Sequence, residues 1–95
     1  MNKIGKSLYI YCAGAFGKEV MDIARRRNAV SRSWRDIFFI DDVVTEDEKY
    51  GATVWSFSEL MQKGLLGEGE FVIANGEPSA RQAISEKLNR AGARY

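Results

Sequence analysis

The chain has 95 residues, 45% of them hydrophobic and 28% charged, with a formal net charge of +1. That is enough for one domain with a modest core, and it gives no electrostatic reason to expect a nucleic acid or an acidic membrane surface as partner. With no histidine and a single cysteine, imidazole general-base catalysis, Ser-His-Asp and Cys-His arrangements, most zinc sites and any internal disulfide are excluded.

Taken in chain order, Leu8-Tyr9-Ile10-Tyr11-Cys12 is a continuous aromatic and β-branched run, which predicts a strand covered on both faces. From Phe16 the spacing becomes helical: Phe16, Val20, Ile23 and Ala24 are predicted on the buried face and Lys18, Asp22, Arg25 and Arg26 outside, with the helix fading near Asn28. Ile37-Phe38-Phe39-Ile40 predicts a second strand that stops at Asp41-Asp42, and Thr45 to Lys49 reads as a polar, acidic loop. A short extended segment, Thr53-Val54-Trp55, leads into Ser56-Phe57-Ser58-Glu59, a capping box opening a short helix that carries Leu60, Met61 and Leu65 and ends among Gly64, Gly67 and Gly69. Phe71-Val72-Ile73-Ala74 predicts a third buried strand, followed by the loop Asn75-Gly76-Glu77. Pro78 suits a first helical turn, and Ala80, Ile84, Leu88 and Ala91 form a stripe that Gly92 interrupts; Arg94-Tyr95 reads as the start of a further strand, as though the chain were the front piece of something longer.

Strands alternating with helices imply right-handed β-α-β units, a parallel sheet and an α/β domain. In such sheets ligands sit beyond the carboxyl ends of the strands, so the turn Ala13-Gly14-Ala15-Phe16-Gly17, the acids Asp41 and Asp42, and the loop Asn75-Gly76-Glu77 are predicted to converge there. A glycine-lined turn into a helix N-terminus admits a phosphate, and an acid after the next strand can receive a ribose hydroxyl. Adjacent acids at a strand end point in opposite directions, so only one of Asp41 and Asp42 is expected to face a pocket, and they do not form a catalytic carboxylate pair. Cys12 stands where G-x-G-x-x-G has its first glycine. It either tightens the turn or lies on backbone that needs no positive φ.

These three pieces, Tyr9 to Val20, Phe39-Ile40-Asp41-Asp42, and Phe71 to Gly76 followed by Arg81, resemble in order and spacing the N-terminal domain of the NeuD/PglD-type sugar O- and N-acetyltransferases. The resemblance implies a small Rossmann-like three-layer domain with a parallel sheet, spanning residues 1–95, that holds a nucleotide-linked amino sugar. Acetyl-CoA, the catalytic histidine and a trimer would belong to a C-terminal left-handed β-helix that is not in this sequence; the piece itself is then expected to have no cofactor and no acyl-transfer activity. The implied substrate-binding residues are Ala13, Gly14, Ala15, Phe16, Gly17, Asp41, Asp42, Asn75, Gly76 and Arg81. Phe16 stands where some relatives have histidine, so no histidine role carries over.

Other readings of the same residues stay open. The glycine turn also serves as a plain strand-to-helix connection, Asp41 and Asp42 as solvated acids or a cap, and Arg81 as a solvated helix residue. Arg25, Arg26, Arg27, Arg32 and Arg35 read as a solvated helix end, Cys12 as a small buried residue, and Trp34 and Trp55 as core or interface. A small NAD- or CoA-binding regulatory module and a structural oligomerisation domain are the alternative functions. The lone cysteine, the missing apolar leader pattern and the lack of an apolar run near the length of about eighteen residues that spans a bilayer favour a cytoplasmic setting without membrane insertion.

Overall fold

The computed structural model describes residues 6–95. The elements run β1 (Lys6–Tyr11), α1 (Ala15–Ser31), β2 (Trp34–Ile40), β3 (Glu48–Lys49), β4 (Ala52–Trp55), α2 (Phe57–Gln62), a 3-10 turn (Leu66–Glu68), β5 (Gly69–Ile73) and α3 (Pro78–Ala91). The sheet order is β3-β4-β2-β1-β5. All pairs are parallel except β3 with β4, a two-residue antiparallel addition inside the stretch predicted to be a loop.

The unbroken apolar run of β1 is explained by its two faces. Leu8 and Ile10 pack with Met21 and Ala24 of α1 and with Phe39 and Val54. Tyr9 and Tyr11 point the other way, into a cluster with Ile40, Phe71, Leu60 of α2 and Leu88 of α3. The result is the expected three layers, with α1 on one face of the sheet and α2 and α3 on the other. Met21, Leu60 and Leu88 are fully buried, and each such side chain contributes about 1.5–3 kcal/mol on leaving water. For α2 this burial is decisive, since six residues do not hold a helix alone. Its capping box is present as predicted: Ser56 Oγ accepts from the Glu59 N–H (3.0 Å) and the Glu59 carboxylate from the Ser56 N–H (2.8 Å). In α3, Pro78 occupies the first turn and Gly92 the left-handed C-cap (φ 77°), again as the sequence implies.

Four predictions need correction. The buried face of α1 is Gly17, Met21 and Ala24, not Phe16 and Ile23, which are 44% and 57% exposed. The reason lies at Gly17, where the helix touches β1's end so closely that only a glycine fits; this rotates the larger side chains on either side out of the core. The helix also runs on to Ser31, three residues past Asn28, before Arg32 caps it in the left-handed region (φ 52°). The strands also differ at their edges: β2 begins at Trp34 rather than Ile37, and β1 ends at Tyr11 rather than Cys12.

Candidate functional site

The chain leaves β1 for β2 and β4 on one side and returns to β5 on the other, so the order reverses at β1. Loops at the carboxyl ends of β1, β2 and β5 surround the reversal, as expected for a ligand crevice. There they enclose a cleft of about 400 Å³ lined by Cys12, Gly14, Ala15 and Phe16 of the first loop, Asp41, Val43 and Val44 of the second, and Ala74, Asn75 and Gly76 of the third.

The first loop is shaped by a strained residue. Cys12 has φ 91°, a conformation that L side chains rarely adopt and that costs about 1–2 kcal/mol outside glycine. Of the two readings of Cys12, the tightened turn is the one the backbone adopts. It is held by the Cys12 N–H donating to the Ile40 carbonyl (2.7 Å), and it aims the Cys12 carbonyl at α1. A Cβ on Gly17 would lie 2.2 Å from that oxygen. Gly14, one residue before the helix, has the opposite character, because a Cβ there would meet nothing within 4 Å. As N-cap it offers no side chain to the helix, and the first turn carries no acid. The positive end of the α1 dipole and its first amides are therefore left to the cleft.

Asp41 and Asp42 point in opposite directions, as their adjacency predicts. Asp41 turns into the cleft, where Oδ2 accepts the Ala13 N–H (2.8 Å) and Oδ1 accepts the Val43 and Val44 N–H groups (2.8 and 3.1 Å). Asp42 turns to the α3 side: Oδ2 accepts the Tyr11 hydroxyl (2.5 Å) and Lys87 Nζ (2.9 Å), and Oδ1 accepts the Phe57 N–H (2.8 Å). Lys87 Nζ also donates to the Tyr11 hydroxyl (3.1 Å). Burial raises the Asp42 pKa, but the bonds from Lys87, Tyr11 and Phe57 together outweigh it and hold the carboxyl below its ordinary range. On Tyr11 burial and then Asp42 act in the same direction, so its phenol stays protonated and donating. The cluster ties α2, α3 and the end of β1 together, away from the cleft.

A stability prediction follows from Asp42. Because its folded pKa lies below the unfolded value of about 3.9, its contribution is fully present above that pH and is lost as pH falls through the folded pKa. Asp42→Asn is expected to destabilise by about 1 kcal/mol at pH 7, a figure kept low because the group is partly exposed. Thermal melts should show the variant and the parent converging as the pH drops below about 4. A gap that persists at pH 2 would mean that the carboxylate charge is not what holds this cluster.

The third loop is held from both sides. Asn75 Nδ2 donates to Cys12 Sγ (3.4 Å), its Oδ1 accepts the Glu77 N–H (2.9 Å), and Arg81 Nη1 donates to the Asn75 and Ile73 carbonyls (3.2 and 3.3 Å). Burial pushes the Cys12 thiol up, so it stays protonated and is a poor nucleophile. Of the residues named from the sequence, Gly14, Ala15, Phe16, Asp41, Asn75 and Gly76 line the cleft; Ala13, Gly17, Asp42 and Arg81 do not. Ala13 and Gly17 are buried beneath the loop as its scaffold. Arg81 is spent on backbone carbonyls and faces a groove beside β5. Cys12, Val43, Val44 and Ala74 line the cleft without having been named as binding residues. Val43 and Val44 had one available signal, their place directly after an acid that ends a strand.

Over residues 7–88 the sequence matches the PglD N-terminal domain family. The chain belongs to that family. The match runs from Ser7 in β1 to Leu88 in α3, so all three cleft loops of this PglD-type N-terminal domain lie inside it. No curated protein and no solved structure matches the chain. Among the described residues, no helix is long and apolar enough to cross a membrane.

Proposed function

We propose that this PglD-type N-terminal domain binds a nucleotide-linked amino sugar, carried on UDP or CMP, in the cleft around Gly14, and presents it for acyl transfer by another domain of a larger protein. The observation that carries this reading is the uncapped N-terminus of α1 opening, through a glycine with free space around it, into a cleft at the sheet's reversal point. A diphosphate placed there would meet N–H donors and a positive dipole end. The cleft's volume lies within the range of about 300–1,000 Å³ for small-molecule sites. Half-exposed Phe16 offers a flat apolar face at the mouth. Asp41, with three N–H donors on a carboxylate that has roughly four acceptor positions, keeps about one for a ribose hydroxyl.

Calorimetric titration of the chain with UDP, UDP-N-acetyl amino sugars, CMP-sialic acid, NADH and acetyl-CoA tests the reading. Saturable binding of a UDP- or CMP-sugar, with NADH and acetyl-CoA silent, is the expected result. Binding of NADH or acetyl-CoA alone would replace it with a regulatory dinucleotide- or CoA-binding module, and silence throughout would leave no ligand role for the cleft.

A further inference from the structure

We propose a second anion site: the cleft between the C-terminal half of α1 and the first half of β2 binds the pyrophosphate group of an organic ligand. It lies toward the other end of α1 from the glycine loop: Arg25, the first helix residue to line it, is ten residues after Ala15, about 15 Å along the axis. Its volume is about 650 Å³, and three arginines from three different segments line it: Arg25 from α1, whose guanidinium reaches toward Gly51, Arg32 from the helix cap and Arg35 from β2.

The turn between α1 and β2 sets their placement. Arg32 holds the left-handed cap position (φ 52°), where glycine is the least costly residue, with its N–H on the Asn28 carbonyl (3.0 Å). The Asn28 side chain accepts the Trp34 N–H (2.7 Å), and the Trp34 indole N–H donates to Glu70 (3.0 Å), so the aromatic wall is fixed between Arg32 and Arg35. β4 pairs only with Phe39 and Ile40, which leaves the first half of β2 uncovered on that side and opens the cleft over Trp34 and Ile37.

The helix dipole accounts for Arg32, which sits at the cap, but not for Arg25 or Arg35. It acts within the last turn, and the last turn of α1 carries no basic residue. Arg35 has Asp36 beside it (3.2 Å), whereas Arg25 and Arg32 have no carboxylate partner among the described residues. Like charges gathered round a concave surface raise its potential, and the guanidinium fork matches phosphate oxygens bidentately. Arg25 and Arg32, with Arg35 shared with Asp36, suit the charge of a pyrophosphate, and the apolar floor of Trp34 and Ile37 suits the organic body that carries it.

Trp34 supplies the readout. In a Trp55→Phe background, titration with inorganic pyrophosphate should change Trp34 fluorescence saturably, and Arg25→Gln with Arg32→Gln should weaken binding by about tenfold or more at an unchanged melting temperature. Gly14→Val should leave this signal intact, which separates it from the proposed nucleotide-sugar cleft. No saturable change up to about 10 mM pyrophosphate, a change unaffected by the double substitution, or its loss on Gly14→Val would overturn the proposal. So would saturation by duplex DNA with pyrophosphate silent, which would make the arginines a nucleic-acid surface instead.

Discussion

Replacing Gly17 by alanine is expected to destabilise the domain by about 3 kcal/mol, the upper end of the range for overpacking, and to lower its melting temperature by roughly 15 °C. The added carbon would lie 2.2 Å from the Cys12 carbonyl oxygen and 3.1 Å from the carbonyl carbon. Neither obstacle is the free end of a side chain that can swing away. Both belong to backbone pinned by the Cys12 N–H bond to Ile40, so the only relief is for the first turn of α1 to lift off the sheet. Alanine's better intrinsic helix propensity, worth about 1 kcal/mol, acts in the opposite direction and is too small to compensate. Thermal denaturation followed by circular dichroism measures the outcome. A variant that melts with the parent would show that α1 has room to move, and the account of its buried face would fall with that result.

Gly14→Val is expected to do the reverse, leaving the fold intact and removing ligand binding. A Cβ at Gly14 meets nothing within 4 Å and its backbone is extended with a negative φ, so a side chain starts there without a clash at Cβ or a left-handed backbone. Valine's two methyl groups would instead stand in front of the α1 N-terminus, in the space proposed for the diphosphate. A loss of at least about a hundredfold in nucleotide-sugar affinity, equivalent to about 2.7 kcal/mol, is the expected calorimetric result. Unchanged affinity in a folded variant would move the ligand out of this cleft. The pair of substitutions separates the two glycines of the turn: one is needed for packing and the other leaves space open.

Much of this was legible in the sequence because it depends on neighbours close along the chain. The two-sided apolar run of β1, the Ser56–Glu59 capping box, Pro78 and Gly92 at the ends of α3, and the divergence of Asp41 and Asp42 are all set by local periodicity or local hydrogen bonds. What was not legible depends on contacts across the fold. Gly17 contributes no hydrophobicity, so an apolar-face reading of α1 passes over it in favour of Phe16 and Ile23, although close approach to β1 places it on the buried side. The partners that engage Asp42 come from Tyr11, 31 residues before it, and Lys87, 45 residues after it. The start of β2 at Trp34-Arg35-Asp36 carries too much charge to look like a strand, and it tolerates that charge because β4 never covers it. Val43 and Val44 enter the cleft only because Asp41 bends the chain back on itself.

Asp41 has one more effect, on the timing of order rather than on contacts. By accepting the Ala13 N–H from one loop and the Val43 and Val44 N–H groups of its own, it joins two of the three cleft loops through a single carboxylate. The conformational entropy of those loops is therefore lost when the domain folds and not when a ligand arrives. The ligand proposed for the cleft would meet two of its three loops already set, so its affinity would report direct complementarity with little reorganisation on that side, as selection by a mould rather than closure around a guest.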